Sequence, residues 1–204
     1  MFAAFRITGA RRFLSPAIDK RGRMRYNRRR TPLRGASEVK DMDFETMRDT
    51  CARQEALLRF DSFDEQTVWA LGSAMVEELK RRELNVCVAI WSLTGYVLFQ
   101  YAAAGTTVNN QNWMRRKYNS VCLMERSSLA SKAIAALSGE GVEQSGLDPR
   151  EYVFCGGGFP IRLKTGELVA VALASGLPDV LDHGFLVDCL SAHLGVEAPA
   201  IPLE

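Results

Sequence analysis

The stretch NVCVAIWSLTGYVLFQYA, residues 85–102, carries the reading on which the fold turns. Val86 to Ser92 is apolar at both alternating sets of positions, the pattern of a strand covered on two faces. Thr94-Gly95 breaks the run and Tyr96 to Ala102 resumes it, so the connection is short enough to predict an antiparallel hairpin. The same grammar returns once: Phe159 to Leu163 reads as a strand, Thr165-Gly166 as a turn, and Leu168 to Ala174 as the returning strand.

Helical periodicity fills the intervals. Residues 43–58 space Phe44, Met47, Cys51 and Leu58 on one face, and a loop is expected over Phe60 to Phe63. Ser62 and Glu65 have the spacing of a capping box for the next helix, whose Val68, Leu71, Met75 and Leu79 run to the charged end Lys80-Arg81-Arg82. Asn110 to Met124 and Ser127 to Ser138 are predicted helical, as is Asp179 to Leu194 with Asp179 as its N-cap. Hairpins separated by helices predict an α+β layered domain on an antiparallel sheet, not a Rossmann sheet.

Charge divides the chain. Residues 1–41 hold twelve Lys/Arg against three Asp/Glu, a formal +9, whereas residues 42–204 hold fourteen against twenty-one, a formal −7. The acidic part is long enough to fold without a disulfide or metal staple. The basic extension admits three readings: an organellar transit peptide, since it is Arg-rich and lacks acids until Asp19; a leader made redundant by a start at Met42; or an arm that contacts a protein partner or nucleic-acid phosphates through Arg21 to Arg34. The five cysteines, Cys51, Cys87, Cys122, Cys155 and Cys189, form no CxxC pair and point to a reducing compartment, hence the cytoplasm, or the mitochondrion if the leader is a transit peptide. No stretch approaches the ~20 apolar residues of a membrane span.

Several chemistries fail on spacing. The glycines at 139, 141 and 146 do not make a dinucleotide fingerprint, no P-loop exists, and Ser175 in ASGLP is not a nucleophile elbow. His183 and His193 are the only histidines, and ten residues apart they diverge on a helix. What remains is a candidate binding site. On the Asn110 helix, Met114, Tyr118, Val121 and Cys122 form an apolar stripe, and Trp113, Arg116 and Lys117 are expected to cluster away from it as a cation pair beside an aromatic plate. The other reading of that cluster is a solvated charged face with Trp113 at a subunit contact. Gly156, Gly157 and Gly158 either admit a ligand to the backbone or turn the chain into the next strand. His183, near a helix N-terminus, is expected neutral and able to coordinate metal or accept a proton, with Cys155 as an alternative soft ligand.

Three segments carry a resemblance. GTTVNNQNWMRRKYNSV (105–121) with Ser127-Ser128, YVFCGGGFPIRL (152–163) and SGLPDVLDHGFLVDCL (175–190) resemble, in order, the motifs of the GlcG, PduO C-terminal and HbpS-like (haem-degrading domain) superfamily, and within it the UPF0303 branch, which has a yeast member. The resemblance covers about residues 42–196, leaving the leader and the tail 197–204 outside. It implies a three-layer α-β-α domain, homodimers or larger rings of dimers, and an association with haem or corrinoid. Relatives are linked to haem binding or degradation, to corrinoid metabolism and, in yeast, to delivery of tail-anchored membrane proteins. The functions it implies are therefore an oligomeric small-molecule-binding domain, a protein-interaction adaptor, or an enzyme of haem or corrinoid metabolism. Two departures stand out: Cys155 where the family has His before the glycines, and Asn109-Asn110 where it has Asp-Asn. Trp69, Trp91 and Trp113 exceed what one thin sheet layer covers, which also predicts an oligomer.

Overall fold

The computed structural model describes residues 43–202. The basic leader, with its transit-peptide, start-site and nucleic-acid readings, lies outside the described residues. The described chain runs α1 (Phe44–Leu57), β1 (Arg59–Phe60), α2 (Glu65–Arg81), β2 (Cys87–Ser92), β3 (Val97–Ala102), α3 (Val108–Met124), α4 (Ser128–Ser138), β4 (Gly158–Leu163), β5 (Leu168–Ser175) and α5 (Asp179–Leu194). The strands form one sheet in the order β1-β4-β5-β2-β3. The two expected hairpins lie side by side, joined by antiparallel pairing of β5 with β2 from Cys87 opposite Ser175 to Ser92 opposite Ala170.

Period-two alternation explains the layers. Val88 and Ile90 of β2 and Ala170, Ala172 and Ala174 of β5 face α2 and α5, where Leu71, Met75, Phe185 and Leu186 complete the larger core. Cys87, Ala89, Trp91, Val171 and Leu173 point the other way and are covered by Met114, Tyr118 and Val121 of α3. The sheet is thus apolar on both faces and sits between helix layers, the α-β-α arrangement expected. A third cluster lies between α1 and α4, where Met47 and Cys51 meet Leu129, Ala130 and Ala133. Ile201 of the C-terminal tail closes that cluster, and Gln54 of α1 donates to the Pro199 carbonyl at 2.7 Å.

The structure departs from the sequence reading in four places. Arg59-Phe60, expected as loop, forms a fifth strand parallel to β4, with Phe60 opposite Leu163. Two residues are too few to show alternation, but Phe60 is buried and its carbonyl accepts from Lys164 N at 2.8 Å. The cap of α2 is Asp64, not Ser62: its carboxylate accepts from Thr67 N at 2.8 Å and Thr67 Oγ1 at 2.7 Å. The N-cap of α5 is Pro178, with no side-chain cap bond, and Asp179 is the first helical residue, its carboxylate on Lys132 at 2.7 Å. α3 begins before Asn110, at a box in which Thr107 N donates to Asn110 Oδ1 at 2.9 Å. All five cysteines are free, and no helix among the described residues is long and apolar enough to cross a membrane.

Candidate functional site

α3 supplies the first half of the site. The stripe Met114, Tyr118 and Val121 is buried as expected, but so is Lys117, with 3% of its surface exposed. The expectation that Lys117 would turn away from the apolar stripe and form a cation pair with Arg116 beside Trp113 is corrected here. Position 117 lies three residues after Met114 and four before Val121, so the helix carries it onto the buried side. Its Nζ donates to Asp182 Oδ2 at 2.9 Å and to the Ala174 carbonyl at 2.8 Å. Asp182 is 2% exposed and its second oxygen accepts from Leu177 N at 2.9 Å. Burial pushes the Asp182 carboxyl above its ordinary range, against the Lys117 charge and hydrogen bond that hold it down.

The triple glycine makes room for this ion pair. A side chain at Gly156 would place its Cβ 2.1 Å from the Asp179 carbonyl oxygen, and one at Gly157 would meet Ala174 O and Lys117 Nζ, each at 2.5 Å. Gly157 also has φ +107°, where only glycine is at ease. At Gly158 a Cβ would lie 2.9 Å from Val121 Cγ2. The backbone donors are engaged internally, Gly158 N to Ser128 Oγ at 2.9 Å and Gly156 N to Asp179 Oδ2 at 3.4 Å. The run leads directly into β4 at Gly158 and packs closely against α3, β5 and α5.

His183 is fully buried. Gln54 gives its amide N–H to Pro199 O, so its Oε1 is the acceptor facing His183 Nε2 at 2.8 Å. The proton therefore sits on Nε2, and Nδ1 is left as a bare acceptor with no partner among the described residues. Cys51 Sγ lies 3.9 Å from Nε2. Burial pushes the His183 pKa down to about 4, so the ring is neutral as expected. It is also sealed: a ring with no exposed surface and a committed Nε2 does not reach an external metal. Cys155, just ahead of the glycines, is half-buried, and burial pushes its thiol up to about 11 against the Lys117 charge. Among the described residues no group of three or more His, Cys, Asp or Glu is placed to hold a metal ion.

Trp113 and Arg116 form the open part of the arrangement. The Arg116 guanidinium carbon stands 4.5 Å over the Trp113 ring, and Nη2 reaches the Tyr152 carbonyl at 3.4 Å. Arg116 Nε is buried without a partner among the described residues. The neighbouring segment is strapped to α3: Arg115 pairs with Glu151, Asn119 donates to Glu151 O at 2.8 Å, and Val153 N donates to Ser120 Oγ at 2.9 Å. The structure thus gathers Lys117, Gly156, Gly157, Gly158, Cys155 and His183 around one buried polar core, with Trp113 and Arg116 at its flank. Missed from sequence were Asp182 as the partner of Lys117, Gln54 as the partner of His183, and the Lys132–Asp179 bridge.

A sheet covered by helices on both faces is also the fold of known proteins. The structure resembles that of Ybr137w with a TM-score of 0.65 at 24% identity, over 76% of this chain and 90% of that one. It resembles HbpS with a TM-score of 0.53 at 20% identity, over 67% and 93%. A PduOC:heme complex matches with a TM-score of 0.51 at 18% identity, over 67% and 98%. Residues 63–191 match the family described as Haem degrading protein HbpS-like, and the chain belongs to that family. Within it the relatives are UPF0303 proteins: one from Rhizobium rhizogenes is 38% identical over 72% of this chain and 90% of its own length, and one from Azotobacter vinelandii is 38% identical over 75% and 92%.

Proposed function

We propose that this chain is an oligomeric, cytoplasmic binding domain for a planar, anionic small molecule of the haem or corrinoid type, held by Arg116 and Trp113 beside the Tyr152–Cys155 segment. The observation that carries the reading is the half-buried Arg116 guanidinium stacked on the Trp113 indole; the only hydrogen bond of that guanidinium among the described residues is the long one to the Tyr152 carbonyl at 3.4 Å. Its remaining terminal N–H groups are donors that a ligand carboxylate satisfies. That PduOC is known as a haem complex and that the family is described by haem degradation support the choice of ligand class. Five free cysteines suit the compartment.

Iron ligation by His183 does not fit. The ring is enclosed, its Nε2 is engaged with Gln54, and no metal-binding cluster stands nearby among the described residues. Recognition is therefore through the ring face and the acidic substituents. Protoporphyrin IX without iron should bind within a few-fold of haemin when each is titrated into the purified full chain and followed by absorbance. Arg116→Ala removes a charge-assisted contact worth ~1.5–3 kcal/mol, hence at least tenfold in Kd. Failure of both porphyrins to bind at tens of micromolar, or an unchanged Kd in folded Arg116→Ala, overturns the reading.

A further inference from the structure

The two edges of the sheet are built on opposite principles. At the β1 edge the strand is two residues long and stands among charges: Arg59 on the strand, Arg162 opposite it, and Lys164 bonded to Asp61 at 2.8 Å. Short strands and charged side chains keep unpaired backbone groups from recruiting another strand. β3, at the other edge, has six residues and no guard. No Asp, Glu, Lys, Arg or His occurs from Leu84 to Met114.

Apolar surface gathers at that edge. Tyr96 is 72% exposed, Val97 41% and Leu98 39%, and from α2 Trp69 is 70% exposed with its ring edge-on to Phe99 at 6.2 Å. Between α2 and the strands opens a groove of about 350 Å³ whose lining includes Trp69, Leu98, Phe99 and Val169 together with two carboxylates from the start of α2, Asp64 and Glu65. Two β-bulges shape it. Ile90 pairs with Phe99 and Trp91 with Val97, which leaves Leu98 as the extra residue of one hairpin. Ile161 pairs with Ala170 and Arg162 with Leu168, which leaves Val169 as that of the other. A bulge re-aims a side chain, and both extra side chains line the same groove.

We infer that this edge is the contact between two copies of the chain, β3 pairing antiparallel with β3 of the second copy across a two-fold axis, with Trp69, Tyr96 and the groove covered in the process. This rests on the oligomeric part of the function proposed above and names its surface. A second copy fits better than a foreign peptide for three reasons. A strand meets its own twin self-consistently under a two-fold. β3 itself offers no charge by which to select a charged partner, the two carboxylates of the groove belonging to the start of α2. Residues 42–204 carry a formal −7, so two bodies repel least where the uncharged stretch from Leu84 to Met114 meets its twin. Trp69 and Tyr96 alone offer on the order of 300 Å² toward the ~800 Å² per partner of a stable contact.

The test introduces the guards that β3 lacks. The full chain at ten micromolar should sediment as a dimer or a multiple of it, and V97K/Q100K, both at exposed positions, should halve the number of copies while keeping the circular dichroism and a cooperative melt, at a lower temperature than the parent because association no longer stabilises the fold. V97E/Q100E should behave likewise, and mixing the two variants should restore an assembly holding one of each. A parent that is monomeric overturns both the inference and the oligomeric reading. Oligomeric Lys and Glu variants with the parent's mass, or dissociated variants that do not recombine, overturn the inference alone and leave the oligomeric reading standing. The porphyrin titration, run on the dissociated variants, reports the binding site independently of either.

Discussion

Replacing Lys117 by Met keeps the length of the side chain and removes the charge that Asp182 faces at 2.9 Å. Both groups are at least 97% buried, so no water replaces the lost partner. The Ala174 carbonyl loses its donor at the same time, while Asp182 retains only the Leu177 N–H. Breaking one side of a buried pair costs ~3–5 kcal/mol, which in a domain of this size lowers the melting temperature by roughly 6–20 °C. Asp182→Asn strands the ammonium and should cost a similar amount. The double variant K117M/D182N leaves no unpaired charge and keeps an acceptor for Leu177, so it should be no worse than either single change. The coupling read from urea denaturation at pH 7 should therefore be at least ~2 kcal/mol. In K117M burial is opposed only by the backbone hydrogen bonds, so the folded pKa of Asp182, already above its ordinary value in the parent, rises further; part of the loss is recovered as pH falls below that folded value and disappears as pH rises through it. A cost under ~1 kcal/mol for K117M, or two single costs that simply add, would refute the reasoning.

Three further outcomes follow from the packing. His183 titrates near 4 when folded and at 6.5 ordinarily, so the unfolded chain takes up the proton first as pH falls; the stability it contributes is present above 6.5 and is lost toward 4, by about 2 kcal/mol at pH 5. His183→Leu should flatten that part of the slope in urea melts, and an identical slope in parent and variant would contradict the assignment. Gly157→Ala meets both a positive φ and a carbonyl oxygen at 2.5 Å and should prevent stable folding, whereas Gly139→Ala, with φ +76° and nothing within 4 Å, should cost only ~1 kcal/mol in the same thermal scan. Asp64→Ala should lose ~1 kcal/mol of cap energy and Ser62→Ala almost none; the reverse order in chemical denaturation would restore Ser62 as the cap.

The hairpins, the stripe of α3 and the order of elements were legible because each is a local pattern, alternation in β2 or Met114, Tyr118 and Val121 at helical spacing. β1 was not, since a strand of two residues has no period to read. The candidate residues were chosen for their types, and most of them do converge, but their roles depended on partners far along the chain. Lys117 looked like a surface cation until Asp182, sixty-five residues away, took its charge. Its position between Met114 and Val121 was the available warning. The glycines are similar: only the proximity of α5 and β5 separates a ligand cradle from close packing. The bulges at Leu98 and Val169 left no trace, because a bulge is a property of a pair of strands and not of either one.

The closure of the α1–α4 cluster by Ile201, and of Gln54 by Pro199, bears on the order of events during synthesis. The first described helix leaves the ribosome before the other described elements, yet some of the atoms that complete its packing are made last. α4 covers Met47 and Cys51 as soon as it emerges, while the Gln54 amide and the side that Ile201 closes wait for the tail. Such end-to-end contacts are the slowest to form in a chain. During that interval the Gln54 end of α1 is open to a chaperone or a protease.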